Sequence, residues 1–259
     1  MKNVLILGCG WVAEDLAFKF LNLECHVVLT TTSLEKSERL IKAGFEAHVV
    51  DFDQDIRVDF QVDSFDYVLT SVPAASKNTV EQIKRRFEQI KSLLEKLNYN
   101  KHIYLSSTGI YPDCDGVFSE DYTMMLNERL SVAEEFMLSV SNSSVYRLGG
   151  LFGKNRIFAK YFENRVCSTG NQVANFVYVD DVVELIYRGF EMGLQSEIYN
   201  IVAPEHPTKE EVIRASAQKY GFQLPSEFKP ENSFQKIVDG SKIIKELNYS
   251  YKYPSPLEF

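Results

Sequence analysis

Residues 105–111 read L-S-S-T-G-I-Y, an apolar run that breaks into hydroxyls, a glycine and a phenol. Hydroxyls at such a break can position a reacting oxygen. A tyrosine can exchange a proton near neutral pH where positive charge pulls its pKa down from about 10. A second stretch, residues 7–17, reads L-G-C-G-W-V-A-E-D-L-A and carries G-x-G-x-x-A spacing at Gly8, Gly10 and Ala13. Between a strand and a helix, that spacing suits a pyrophosphate. Gly8 permits the tight turn, Gly10 lets backbone approach the anion, and Ala13 keeps the helix close to the strand. Trp11 and Val12 then open a helix whose N–H groups and positive dipole end face the charge. A tight turn that holds nothing is the plainer alternative.

The surrounding elements give these residues their places. Val4–Leu7 is a short apolar run ending in glycines, as expected of a strand buried on both faces. Residues 11–23 follow at helical spacing, His26–Leu29 reads as the next strand, and residues 33–43 as a helix that Ser33 can cap. Residues 47–50 and 67–70 are two more strands. Residues 79–97 form a long amphipathic helix, 102–105 the fifth strand and 144–148 the sixth. Asp181 is expected to open and cap a further helix, with a strand at 198–202 beyond it. Alternation at this pitch predicts an α/β protein, a Rossmann-type doubly wound parallel sheet with helices on both faces. Residues 1–203 are expected to form the dinucleotide-binding core, with 151–174 contributing to a substrate cleft. The proline-rich segment 204–259, with short helices at 208–220 and 241–247, is expected to be a small C-terminal substrate-side lobe.

About 20 residues past the glycine turn, an NAD site usually places an acid on the ribose. Here Thr30, Thr31, Thr32 and Ser33 stand there instead. Lys36 or Arg39 on the next helix could meet a 2′-phosphate, so NAD or NADP is expected, with NADP slightly favoured. The alternative is that these hydroxyls only cap the helix. Asp51 and Phe52, ending the third strand, are placed to meet an adenine, although Asp51 could equally cap a loop. Ser71, Val72 and Pro73, ending the fourth, would pass near the ribose and phosphates. The L-G-C-G spelling also suggests a methyltransferase motif, but Ile6 and Val12 occupy places where that motif wants an acid and a glycine.

Composition narrows the partners. Lys+Arg of 28 against Asp+Glu of 36 gives −8, with no long basic run, which argues against nucleic acid or an anionic membrane surface. No apolar stretch is long enough for a membrane span or an export signal. Cys9, Cys25, Cys114 and Cys167 form no CxxC and are read as thiols in a reducing cytoplasm. No metal site is expected from the histidine and cysteine spacing.

In order, G-C-G-W-V-A (8–13), S-S-T-G-I-Y (106–111), R-L-G-G-L-F-G (147–153), F-V-Y-V-D-D (176–181) and the tail 241–254 resemble the extended short-chain dehydrogenase/reductases, the NAD-dependent epimerase/dehydratase family. The resemblance implies that Ser107 hydrogen-bonds a substrate oxygen and that Ser106, Leu148 and Gly149 line the cofactor. It also implies that Arg156 meets a substrate phosphate, and that relatives often form homodimers through long helices such as residues 79–97. A small or nucleotide-linked substrate follows, with Arg129 a candidate for an anionic group. In that family a Tyr-x-x-x-Lys pair follows the serine. No tyrosine here has a lysine four residues on. Anchoring the next helix on Glu134 puts Leu126 and Leu130 at the pair; anchoring on Glu135 puts Asn127 and Ser131 there. Neither set transfers protons. Tyr111 is a candidate substitute or simply an aromatic lid. Asp113, Asp115, Glu120 and Asp121 read as a solvated rim. The implied activity is an epimerase/dehydratase-like or reductase-like one that lacks the usual pair. The alternative is a redox sensor that binds dinucleotide without turning it over.

Overall fold

The Val4–Leu7 run lies at the centre of the computed structural model, which describes residues 1–56, 58–194, 197–231 and 233–259. It forms β1 (Asn3–Leu7), followed by α1 (Trp11–Asn22), β2 (His26–Thr31), α2 (Leu34–Lys42), β3 (Glu46–Val49), β4 (Ser64–Thr70), α3 (Val80–Leu94) and β5 (Asn98–Ser107). Then come β6 (Gly116–Phe118), α4 (Glu128–Leu138), β7 (Ser143–Leu148), β8 (Gly150–Phe152), α5 (Phe158–Phe162), β9 (Val166–Cys167) and β10 (Phe176–Tyr178). The chain ends with α6 (Val179–Met192), β11 (Ile198–Ile201), α7 (Lys209–Tyr220), β12 (Glu227–Phe228), β13 (Lys236–Val238) and α8 (Ser241–Leu247).

Seven strands make one parallel sheet in the order β11-β7-β5-β4-β1-β2-β3. The strand order reverses between β1 and β4, which pair in register from Val4 with Tyr67 to Leu7 with Thr70. In such sheets the crevice beyond the carboxyl ends at that reversal is where ligands bind. The doubly wound α/β expectation therefore holds.

The helices form where local signals ask for them. Ser33 caps α2 by accepting from the Lys36 N–H, and Thr79 and Gln82 close a reciprocal capping box on α3. Along α3, Ile83, Phe87, Ile90 and Leu94 recur at helical spacing and are fully buried. They join Leu5, Leu7, Val28, Val68 and Tyr104 in one core. Burial of each large side chain is worth about 1.5–3 kcal/mol. Among the described residues no helix is long and apolar enough to cross a membrane.

By contact density the chain divides into two units. The first gathers residues 1–110, 126–146 and 186–198; the second gathers 111–125, 147–185 and 199–259. Segment 204–259 lies whole in the second unit, together with stretches from earlier in the chain. Within that unit Asp181 departs from expectation. It sits in the third position of α6 rather than at its cap, and only 1% of it is exposed. Its Oδ1 accepts from the Tyr249 hydroxyl at 2.5 Å and the Lys252 N–H at 2.7 Å, and its Oδ2 from the Tyr253 N–H at 3.3 Å. Asp181 thus ties down the C-terminal segment, and burial pushes its carboxyl pKa up.

Candidate functional site

The turn after β1 is built by what each backbone group requires. Gly8 has φ +84°, and a Cβ there would stand 2.9 Å from Val72 Cγ2, so only glycine fits. The Gly8 N–H donates to Thr30 Oγ1 at 2.9 Å and the Cys9 N–H to the Thr30 carbonyl at 2.7 Å. Fully buried Thr30 therefore holds the turn from behind. Gly10 differs. Its φ of −86° is ordinary, and a Cβ would meet only Ser71 Oγ, at 3.8 Å. Here glycine keeps space open rather than relieving strain. Gly10 is also the N-cap of α1 and brings no side-chain cap, whereas α2, α3, α4 and α7 each start on one. A helix start without a cap at an open cleft is a place for an anion. Trp11, Val12 and Ala13 form that first turn, with Val12 and Ala13 buried beneath it.

Four strand ends converge on the cleft, which has a volume of about 340 Å³. Gly8, Cys9 and Gly10 come from the end of β1, and Thr30, Thr31 and Thr32 from β2. Asp51 and Phe52 follow β3, and Ser71, Val72 and Pro73 follow β4. The loop-capping alternative for Asp51 is also realised, since its Oδ1 accepts from the Asp53 N–H at 3.0 Å while the residue still lines the cleft. The helix-capping alternative for Ser33 is realised as well. Lys36 Nζ donates to the Cys9 carbonyl at 2.6 Å and pairs with Glu14 at 2.8 Å, and Arg39 pairs with the same carboxylate at 2.7 Å. Those two cations hold the Glu14 carboxyl below its ordinary pKa.

Sequence reasoning missed one part of this wall. Arg86 faces Asp53 with Nε–Oδ1 at 2.8 Å and Nη2–Oδ2 at 2.6 Å, and its Nη1 donates to the Pro73 carbonyl at 2.8 Å. One guanidinium therefore joins α3, the loop after β3 and the end of β4, and it holds the Asp53 carboxyl below its ordinary pKa. The signal was present in the sequence. Arg86 is a charge inside the apolar stripe Ile83, Phe87, Ile90, and a buried charge calls for a partner.

Ser107 ends β5. Its Oγ accepts from the Gly109 N–H at 3.1 Å, which fixes its orientation and leaves its own proton to donate. Ser106, one residue earlier, is committed inward, with Oγ donating to Glu134 Oε1 at 2.6 Å; both residues are buried. That contact fixes which side of α4 meets the strand. Glu134 faces the strand and Glu135 faces solvent, so Leu130, one turn earlier, shares the strand-facing side. A Cβ on Gly109 would lie 3.3 Å from Ser107 Oγ and 3.9 Å from Leu130 Cδ1. Asn127 is the N-cap of α4, accepting from the Leu130 N–H at 3.4 Å.

No family model matches the chain. The chain is 25% identical to Protein YeeZ of Escherichia coli strain K12 over 272 aligned positions, spanning 99% of this chain and 98% of that protein. The solved ADP-L-glycero-D-manno-heptose-6-epimerase of Helicobacter pylori superposes with a TM-score of 0.78 at 18% identity, over 99% of this chain and 94% of that one. The dTDP-glucose 4,6-dehydratase of Bacillus anthracis, solved with NAD, also reaches 0.78, at 13% identity over 100% and 94%. The chain has the epimerase/dehydratase fold.

The remaining sequence candidates of this epimerase/dehydratase fold lie in the second unit, except Arg129, which is in the first turn of α4. Tyr111 is 2% exposed, and its hydroxyl donates to Asn200 Oδ1 at 2.8 Å, with the Ser119 carbonyl 3.0 Å away. It accepts from Arg147 Nη1 at 2.8 Å. Burial pushes this phenol's pKa up, against the direction a proton carrier needs. Gly149 and Gly150 make room for other groups. A Cβ would stand 2.5 Å from the Asn175 carbonyl oxygen at Gly149, and 2.4 Å from the Phe176 ring at Gly150. Leu148 is buried at the end of β7. Arg156 is exposed and closes a two-residue bridge with Gly153. Three of the four loop acids hold a donor. Asp113 pairs with Lys236 at 2.5 Å, Asp115 accepts from the Gln235 N–H at 2.7 Å, and Glu120 accepts from the Asn200 N–H at 2.7 Å.

Proposed function

We propose that the first unit binds a nicotinamide dinucleotide, NAD or NADP. In this reading the pyrophosphate lies over the Gly8–Ala13 turn and the adenosine end lies between Asp51–Phe52 and Ser71–Pro73. The chain then acts as an epimerase/dehydratase-like or reductase-like oxidoreductase on a small or nucleotide-linked substrate. The observation that carries this is the cleft itself, where four consecutive strand ends meet at a glycine-cleared, uncapped helix start. The fit is local and chemical. Gly10 leaves space where any side chain would intrude, and that opening suits a group that must come against backbone N–H donors. The dehydratase of the same fold was solved with NAD, which agrees with this assignment.

A bound nicotinamide supplies or accepts a hydride; the chain itself positions the substrate. Ser107, oriented by the Gly109 N–H, donates its proton to a substrate oxygen. Leu130, beside Ser107, offers no cation to pull down a phenol's pKa, and the Tyr111 hydroxyl is held by internal partners. Proton exchange therefore falls to water, and slow turnover follows. NADP stays favoured over NAD. No acid follows β2, and the pairs that hold Lys36 and Arg39 to Glu14 are partly exposed and cheap to exchange for a 2′-phosphate. A homodimer through the long helices, α3 included, accompanies this reading and is checked by sedimentation. The placement of Leu130 favours one second reading, a binding protein that senses the dinucleotide's redox state without turning it over.

Fluorescence titration with NADH and NADPH tests the binding claim. Stopped-flow nicotinamide absorbance with a panel of aldehydes, ketones and nucleotide sugars tests turnover. Binding with a hydride-transfer signal supports the oxidoreductase, and binding without one on the whole panel supports the sensor. No binding at millimolar dinucleotide overturns both.

A further inference from the structure

The second unit contains a cavity of about 140 Å³, separate from any role given above, and lined by Phe158, Phe162, Thr169, Phe176, Lys209 and Ile213. Three phenyl rings and a branched aliphatic side chain make most of its wall. Phe158 and Phe176 stack face to face with centroids 4.0 Å apart, and Gly150 permits this by having no Cβ where the Phe176 ring passes. A cavity of this size and lining holds one six-membered ring.

The exception in the wall is Lys209. Its Nζ donates to Gln172 Oε1 at 2.6 Å, a neutral acceptor, and no carboxylate among the described residues lies within ion-pair distance. The charges around it do not compensate. Lys236 is also cationic, and the nearby Asp113 is already paired with Lys236 at 2.5 Å. On α7 itself, Glu210 is taken by Arg214 at 2.8 Å. Half-burying an ammonium without a counter-ion is unfavourable, and the cost is recovered when an anion arrives.

We propose that this cavity is a binding site for a compact anion, a single ring or branched aliphatic body bearing one carboxylate or phosphate, with the body among Phe158, Phe162 and Phe176 and the charge on Lys209. The site belongs to the second unit alone, and its binding claim does not rest on the oxidoreductase reading. A whole sugar nucleotide exceeds the space.

The test uses the full-length chain and three probes: benzoate, phenyl phosphate and uncharged benzyl alcohol, followed by ligand-observed NMR and calorimetry. Both anions are expected to bind more tightly than the alcohol. Lys209→Met, which keeps the stem, is expected to weaken the anions at least about tenfold and leave the alcohol within about twofold. Ile213→Trp fills the cavity and is expected to abolish all three, with circular dichroism confirming the fold of each variant. Should Lys209→Met not fold, the ranking of the three probes on the unmodified chain decides alone. The two anion arms tell carboxylate from phosphate as the preferred head group. Equal affinity for alcohol and anions, anion binding unmoved by Lys209→Met, or binding of UDP-glucose with neither anion binding would overturn the proposal. NADH titration of the same samples separates the two ideas: intact dinucleotide binding with no anion binding removes this site alone.

Discussion

Gly10→Ala and Gly8→Ala should separate the two jobs that glycine does in the opening turn. At Gly10 the backbone is ordinary, and the nearest atom to an added Cβ is Ser71 Oγ at 3.8 Å, so the folded chain accepts the methyl. The expected cost is that of a poorer N-cap, about 0.5–1 kcal/mol, or about 1–4 °C in Tm for a chain of this length. The same methyl stands where a phosphate oxygen has to meet the helix N–H groups. Losing one or two charge-assisted hydrogen bonds, at about 1.5–3 kcal/mol each, weakens NADH binding by at least about tenfold. At Gly8 the balance reverses. A residue with a Cβ at φ +84° costs about 1–2 kcal/mol, and overpacking against Val72 adds about 1–3. That is about 2–5 kcal/mol, and a Tm lower by roughly 5–15 °C. Differential scanning calorimetry beside NADH fluorescence titration reads both quantities on each variant. If Gly10→Ala binds NADH as tightly as the unmodified chain, the pyrophosphate does not lie on this turn, and the proposed function falls with it.

Four further outcomes follow. His102, buried between Thr70 Oγ1 at 2.8 Å and Ser143 Oγ at 2.6 Å, has its pKa lowered by burial from 6.5 to about 3. It stays neutral in the fold but gains a proton on unfolding, so stability is full above pH 6.5 and declines as pH falls toward 3. Urea melts should show a loss of about 2 kcal/mol between pH 6.5 and 5, absent in His102→Gln. Tyr111→Phe should lose about 1–3 kcal/mol of stability by removing the buried hydroxyl that bonds Arg147 and Asn200, with dinucleotide affinity and the pH profile of any turnover unchanged. A shifted pH profile would return Tyr111 to the chemistry. Glu14→Gln releases Lys36 and Arg39 and should raise affinity for NADPH relative to NADH about three- to fivefold, read by parallel titrations. Ser107→Ala should lower turnover at least about tenfold while NADH affinity holds, which separates substrate positioning from cofactor binding.

Local demands were readable in the sequence and long-range partners were not. The Gly8 turn, the Ser33 cap and the apolar stripe of α3 each follow from residues within a few positions of one another, and each stands where the pattern places it. Arg86 and Asp53 are separated by 33 positions, so only the fold reveals that one guanidinium closes the cleft wall. Tyr111 reads in sequence as a substitute proton carrier or an aromatic lid, and only the fold shows Arg147 and Asn200, far along the chain, at its hydroxyl. The glycines at 149, 150 and 153 belong to a family marker in sequence, and only the fold shows that their missing Cβ atoms make room for the Asn175 carbonyl, the Phe176 ring and the Tyr178 ring. Asp181 looked like a cap because acids favour helix starts, but its partners lie some 70 residues later.

The helix after Ser107 and the glycine turn are held by separate residues. Glu134 holds α4 against β5 through Ser106, and Asn127 caps its start by accepting from the Leu130 backbone N–H, a bond that does not depend on the side chain at 130. The glycine turn is tied by Thr30 and Lys36, neither of which belongs to that helix. The anchor and the turn therefore place no demand on the leucine side chain at 130. Under the proposed function, the residues that would hold a dinucleotide and those that would tune a proton donor are separate sets, so one can change without the other.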